Sequence, residues 1–416
     1  MVVIGGGPVG STVARIVALE GHSVLLVEEH SKVGVPTHCT GKISVNACRE
    51  LNLKPPVLNK LRGAIFHSPS GATVTIERKE TQAYILDRAE FDSQLADKAV
   101  DAGATLRINT RVRGVVVKES GISVDFGKDE QPSCRAVVAA DGSPSGIAHQ
   151  IGLYTKKPAE VRFGVQKEVS GLETDSAFAE VFLGRAFAPG FFAWLVPIGH
   201  GSALVGLAVR PDTGTSPRKH LDHFMREHLS LSRLRNTPVS DAAVHIIPTG
   251  GSLARTISKG ILIVGDAAGQ VKSTTGGGLY YGILCSQIAG RIVSEALDNS
   301  KSLVLDEKDL EPYEYGWRLC LGKEITFSQR TRAFIDSLTD NEIEYLFRIL
   351  NDDPSLNQFI ESVADIDYQS RIALTSLPRL IALLAKKPRL LYKATRYYST
   401  TKLQQRGLSS KTSDLA

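Results

Sequence analysis

Cysteine is scarce in this chain, and its placement excludes two scaffolds at once. Only Cys39, Cys48, Cys134, Cys285 and Cys320 occur among 416 residues. The number is odd and no CxxC pair exists, so neither a disulfide framework nor a structural zinc site is expected, and a reducing, cytoplasmic setting is the default. Long apolar runs are also lacking. No stretch of 18 or more apolar residues occurs, so nothing reads as a membrane span. A strong charge imbalance is missing as well: 49 Lys and Arg face 44 Asp and Glu, a net +5 too mild to suggest a nucleic-acid partner. The exception is the end of the chain. Lys386, Lys387, Arg389, Lys393, Arg396, Lys402, Arg406 and Lys411 follow one another with no acid between them. Such a run either rests on anionic lipid at a membrane surface or, more commonly, is a solvated helix face. No signal peptide precedes the first strand, which starts at Met1 itself and reads as cut short by a few residues.

What is present is a folded composition, 42% hydrophobic and 22% charged, on a chain long enough for two or three domains. Residues 1–30 read as strand, glycine turn, helix and strand. "VVI" is a short buried strand. "STVARIVALEG" is helical, with Val13, Ile16, Val17 and Leu19 apolar and Gly21 as its stop, and "SVLLVE" is buried on both faces. A loop rich in Gly, Pro and Thr runs from Ser31 to Lys42. "GAIFHSPSGATVTIER" alternates like a hairpin, and "DRAEFDSQLADKAVDAGA" is an amphipathic helix. From about Gly152 to His245 the texture is antiparallel β, interrupted by one helix near Pro217–Leu229. "GILIVGDAAG" then returns to buried strand and glycine turn, the helix "LYYGILCSQIAGRIVSEAL" follows, and the rest is helical. The expected fold is α/β. A Rossmann-type nucleotide-binding domain would come from residues 1–150 and 246–300. An antiparallel β-sheet domain at 151–245 would be inserted to hold the substrate, and 301–416 would form a helical C-terminal region.

The first strand runs into Gly5-Gly6-Gly7-Pro8-Val9-Gly10, a GxGxxG turn. Gly5 permits the tight bend, Gly7 lets backbone approach a pyrophosphate beside Pro8, and Gly10 lets the helix pack on the sheet. Helix amides then hold the phosphate charge. Glu28 ends the second strand eighteen positions past Gly10, where a carboxylate accepts from the adenosine ribose and repels a 2′-phosphate. This motif alone leaves FAD and NAD both open.

A second strand-turn-helix element, Ile261 to Gly269, decides between them. It delivers Asp266 to a turn, where a carboxylate can receive the ribityl hydroxyls of a flavin. Gly276-Gly277-Gly278 then allow backbone to lie flat against a ring system. An extended FAD needs such a second element and NAD does not, so the cofactor is read as FAD.

Here the residues resemble the geranylgeranyl reductase family, within the FAD oxidoreductases that include the aromatic hydroxylases. "GDAAGQVKSTTGGGLYYGI" looks like its flavin-contacting segment; hydroxylases would have a His-Pro-type continuation where this chain has Gly269-Gln270-Val271-Lys272. Gly34 to Gly41 resembles the family's GxPxxCxG loop, and Leu86 to Asp92 its (D)RxxFD segment. Pro189 to Pro197 resembles its PxxYxWxFP motif, with Phe192 for the usual Tyr and Val196 for the usual Phe. The resemblance covers roughly residues 1–295.

That resemblance implies an FAD-binding domain of the aromatic-hydroxylase kind and a reductase of isolated C=C bonds in prenyl chains. The substrates of such enzymes are archaeal-type ether lipids, geranylgeranyl diphosphate or chlorophyll side chains. Cys39 would deliver a proton or position the reactants, with His38 as a relay. Arg88, Gly41, Gly269, Gly277 and Gly278 would contact the cofactor, and Phe191, Phe192 and Trp194 would wall a lipid tunnel. Each role has a plainer alternative, since loop histidines are often only exposed and strand aromatics are usually packing. No second GxGxxG unit marks an NADPH domain, which leaves transient NAD(P)H, ferredoxin or a deazaflavin as electron donor. The C-terminal "RLIALLAKKPRLLYKATRYYSTTKL" has the mixture of Leu, Tyr, Lys and Arg that suits peripheral membrane contact. Two rival functions share the fold: an oxygen-using monooxygenase of an aromatic substrate, and a flavoprotein that carries electrons to a quinone-like partner.

Overall fold

Three consecutive apolar residues with no polar side chain to solvate call for burial on both faces. Val2–Ile4 is such a strand, and it lies inside the nucleotide-binding sheet. The computed structural model describes residues 1–127, 132–154, 160–172, 174–227, 243–371, 384 and 386–398. Its six-stranded sheet runs Ile257–Ser258, Ile261–Ile263, Val137–Ala139, Val2–Ile4, Leu25–Val27 and Thr105–Arg107. All neighbours are parallel except the first pair. Side-chain alternation divides the core in two. Val3, Leu26, Val138 and Leu262 point to one face, under the helices Pro8–Leu19, Arg88–Asp101 and Leu279–Asn299. Val2, Ile4, Val137 and Ile263 point to the other, against Val115, Ile122 and Val124 of a small antiparallel sheet.

The second large sheet has seven strands, in the order Ala243–Pro248, Val161–Ser170, Ser202–Val209, Ala193–Gly199, Phe178–Phe182, Gly63–His67 and Thr73–Glu77. It is antiparallel apart from one pair. The hairpin Gly63–Glu77 arrives from the first third of the chain and lays Gly63–His67 parallel to Phe178–Phe182. More than a hundred residues separate these two strands, so no short turn dictates their direction. One face of the sheet is sealed by the helix Pro217–Glu227, whose Leu221 and Phe224 pack on Val165, Leu195 and Leu207. The last residues of the helix expected there, 228 and 229, lie outside the described ones.

The other face carries Gln166, Trp194 and Gly206 and looks toward the C-terminal helices. Phe66, Val74 and Leu183 pack there with Phe334, Leu338, Ile343, Phe347 and Leu390, an apolar seam between sheet and helices. The helix Pro388–Tyr398 spends its apolar side on this seam. Leu390, Leu391 and Ala394 point inward, Tyr398 meets Thr331 at 2.8 Å, and Lys393 reaches Glu342 at 2.6 Å. Arg389 and Arg396 face solvent. Lys402, Arg406 and Lys411 fall outside the described residues. Among the described residues no helix is long and apolar enough to cross a membrane.

Candidate functional site

The nucleotide cradle is built by what cannot be added to it. Gly5 has φ +100°, and a Cβ there would run into the Ala140 backbone. A Cβ on Gly10 would overlap the carbonyl oxygen of Gly5. Both positions therefore hold strand and helix at backbone contact. Gly7 differs, because nothing stands within 4 Å of where its Cβ would be. That is the open approach a pyrophosphate requires at the start of the helix Pro8–Leu19. Glu28 is held in advance. Gly6 N donates to its Oε2 at 2.9 Å, His30 N donates to Oε1 at 2.9 Å, and His30 Nδ1 lies 2.6 Å from Oε1.

The second bend locks onto the first. After the strand Ile261–Ile263 a single 3-10 turn, Gly265–Ala268, ends on Gly269 at φ +69°. A Cβ on Gly265 would come 2.9 Å from a Val9 methyl, and one on Gly282 would come 2.8 Å from the same methyl. Val9 thus sits between the two glycine bends, so the phosphate cradle and the Asp266 turn form one site. A Cβ on Gly278 would overlap Asp266 Oδ1, and glycine is what lets that carboxylate lie beside the loop. The residues fit an extended flavin nucleotide: an open phosphate approach, an anchored ribose-type carboxylate, and a second carboxylate at a ring-accommodating glycine loop.

The loop carrying Cys39 is tied to this site at both ends. Asp87 caps the helix Arg88–Asp101 by accepting from Glu90 N at 3.0 Å, which sets Arg88 at the helix start. Arg88 donates twice to buried Asp92, at 2.9 and 2.7 Å. Burial opposes the guanidinium charge, but Cys39 and Asp92 outweigh it and raise the arginine's pKa. Gly41, at φ +75°, leaves no room for a Cβ between Leu86 O and Arg88 Cγ. Its amide donates to Cys39 Sγ at 3.4 Å. Thr40 donates to buried Gln166 of the large sheet at 3.2 Å.

Gln166 and Trp194 flank Gly206 so closely that a Cβ there would come within 2.7 Å of both. Trp194 Nε1 is buried with no hydrogen-bond partner, an orphaned donor that a ligand oxygen can satisfy. Phe192 meets Trp194 edge-on at 5.9 Å. Phe191 stacks on Phe192 at 4.3 Å but is itself only 5% exposed and wedged beneath the Arg332 guanidinium. Phe192 and Trp194 are thus the more accessible of the three, and Phe191 is packing behind them.

Three participants carry no local signal in the sequence. His245 stacks on His38 with ring centres 5.7 Å apart. Burial lowers the pKa of His38, and the neighbouring His245, His30 and Arg88 lower it further. Burial also lowers that of His245; Asp266 opposes and Arg88 reinforces the shift. The stacked pair thus joins the loop that carries Cys39 to the strand Ala243–Pro248. The other two are Lys272, read from sequence only as a departure from the hydroxylase pattern, and Asp367, its buried partner at 2.7 Å.

Such a site, on such a fold, defines an FAD-binding oxidoreductase. The sequence profile described as "FAD binding domain" matches residues 1–318. Digeranylgeranylglycerophospholipid reductase 2 of Methanothermobacter thermautotrophicus is 35% identical over 84% of this chain and 91% of its own. The digeranylgeranylglycerophospholipid reductase of Methanocaldococcus jannaschii is 32% identical over 87% and 94%. A geranylgeranyl bacteriochlorophyll reductase-like crystal structure from Thermoplasma acidophilum superposes with a TM-score of 0.80 at 22% identity, covering 94% of this chain and 98% of that one. The chain belongs to the FAD binding domain family and, within it, to the geranylgeranyl reductases.

Proposed function

We propose that this protein saturates C=C bonds in the geranylgeranyl chains of archaeal-type ether phospholipids, drawing hydride from reduced FAD. The observation that carries this reading is the tie between the Cys39 loop and the Trp194 face through Thr40 and Gln166. It joins the loop that carries the thiol to the apolar wall, which supports this reading, and the relatives named for this lipid extend over most of the chain.

FAD would be held by Gly5, Gly7, Pro8, Gly10 and Glu28 at its adenosine and phosphate end. Asp266, Gly269, Gly277 and Gly278 would hold it at the ribityl and ring end, with Gly41 and Arg88 closing the side. Bound there, it supplies the two-electron chemistry. The protein's own part is to exclude water and manage a proton. An unactivated alkene gives an acid little to work on, so orientation in a dry site carries much of the effort. Phe192 and Trp194 supply the apolar wall and Phe191 backs it. Cys39 holds or positions the proton, His38 relays it, and Arg88 sets the field around the thiol. The electron donor is NAD(P)H, ferredoxin or a deazaflavin, and contact with membrane lipid is peripheral.

The direct test is to purify the yellow protein, reduce it with dithionite and add digeranylgeranylglycerophospholipid. Product masses should rise in steps of two hydrogens; an unchanged lipid with fully reduced flavin would overturn the assignment. Within that assay Cys39→Ala should slow turnover about 100-fold, the range of a lost acid–base group, while flavin content stays at the wild-type level. Unaltered turnover would remove Cys39 from the chemistry.

A further inference from the structure

The helix Lys323–Ser337 carries a polar stripe on the side it turns toward the site. Ser328, Arg332 and Asp336 stand four residues apart and so share one face. Ser328 is only 1% exposed and Arg332 only 4%, so each needs a partner inside the protein. Ser328 Oγ accepts from Thr274 N, two residues before Gly276, at 3.1 Å. Arg332 lies over the Phe191 ring, 5.1 Å from its centre. Asp336 accepts from Arg162 of the strand Val161–Ser170 at 2.5 Å, and Arg162 donates in turn to Gly190 O at 2.8 Å. One helix face therefore holds the glycine loop at one end and the turn that leads into the aromatic wall at the other.

The loop and the wall also meet directly. A Cβ on Gly276, at φ +73°, would come 2.8 Å from Ile247 Cγ2 and 3.9 Å from Phe191 Cζ. Phe191 is thus where the wall reaches the loop. It is held there by Phe192, stacked on it at 4.3 Å, and by the guanidinium over its ring. Asp336 aims that guanidinium by accepting from its Nε at 2.9 Å. The other charges acting on this group are Arg210 and Asp212, which pair with each other at 3.1 Å. Arg185 reaches the same helix end only through the main-chain oxygens of Asp336 and Leu338. Asp336 would keep Arg162 if Arg332 were removed, so no buried carboxylate depends on the second arginine alone. Its distinctive contact is with Phe191.

We infer that Arg332 is a positioning residue: by holding Phe191 at Gly276 it sets the gap between the aromatic wall and the Gly276–Gly278 loop, which a C=C bond must enter to meet the flavin. The inference rests on FAD and a prenyl lipid binding as proposed. A misplacement of about 1 Å between reacting atoms lowers a rate by about 100-fold. A prop behind the wall can therefore govern hydride transfer without touching the substrate.

The test uses full-length, FAD-loaded Arg332→Met, Arg332→Lys and Phe191→Leu. In Arg332→Met, reoxidation of the dithionite-reduced flavin by saturating digeranylgeranylglycerophospholipid should slow by about 10- to 100-fold. Reoxidation by ferricyanide, which needs no wall, should stay at the wild-type rate. Arg332→Lys keeps a cation over the ring and should recover most of the lipid rate. Phe191→Leu leaves the cation no ring to cover and should repeat the loss, which keeps the test open if Arg332→Met does not fold. Without lipid, acrylamide quenching of tryptophan emission should rise in Arg332→Met, because Trp194 leans on Phe192 and is partly exposed while Trp317 is fully buried. A wild-type lipid rate in Arg332→Met or Phe191→Leu overturns the inference. So does equal slowing with both oxidants, because the flavin site itself would then be disturbed. So does a slowed lipid rate with unchanged quenching, because the guanidinium would then act on the lipid directly. None of these outcomes touches the assignment as a lipid reductase, which falls only if the lipid fails to reoxidise the wild-type flavin.

Discussion

Gly10→Ala should yield a colourless, weakly folded protein. The added methyl overlaps the Gly5 carbonyl oxygen and reaches Val3 as well, so the helix Pro8–Leu19 must lift from the strand Val2–Ile4. It cannot lift alone, because Val9 on its first turn is held between Gly265 and Gly282. The displacement therefore spreads to the Asp266 turn, and both ends of the nucleotide site lose their spacing. Overpacking of this kind costs about 3 kcal/mol. The visible flavin absorbance of the purified protein and its urea midpoint are the measurements. A yellow protein with a wild-type midpoint would show that the backbone contact between Gly5 and Gly10 has slack that the structure denies.

Arg88→Met should be at least as damaging, for an electrostatic reason. Asp92 is 5% exposed and both its oxygens are bonded by Arg88. Removing the guanidinium strands a carboxylate in the interior, an error worth about 3–5 kcal/mol. Arg88→Lys should recover only part of this, since an ammonium cannot present two parallel donors. The double variant Arg88→Met/Asp92→Leu separates stability from chemistry. It should unfold near the wild-type midpoint, yet Cys39 would have lost its neighbouring cation. Its alkylation rate, mapped by mass spectrometry apart from the exposed Cys320, should fall about tenfold. If the double variant stays as unstable as Arg88→Met, the ion pair is not what holds this corner together.

The first glycine turn was legible in the sequence because its parts are local. Strand, bend, helix and acid lie within 28 residues, and each has one physical task. The Asp266 turn was legible for the same reason, and the meeting of the two bends around Val9 is what an extended flavin demanded of them. His245 was not legible. It becomes relevant only when the strand Ala243–Pro248 brings it onto His38, some two hundred residues away in the chain. The parallel seat of Gly63–His67 beside Phe178–Phe182 was hidden likewise, since alternation marks a strand but not its neighbour. Phe191, Phe192 and Trp194 read alike in sequence, and only packing shows that the first is a prop for the other two. Lys272 looked like a substitution in a motif until Asp367 gave it a partner.

That partnership has a temporal side. The Gly276–Gly278 loop is fastened by Lys272 to Asp367 and by Thr274 to Gln369, bonds that span 95 residues of chain. A polypeptide emerging from the ribosome exposes the whole nucleotide cradle long before it produces the segment that secures the ring end. The fastening of that loop can therefore be completed only once Ile366, Asp367 and Gln369 have been made. A chain ended before Asp365 should accordingly release FAD much faster than the full protein, and equal release rates would show the late fastening to be dispensable.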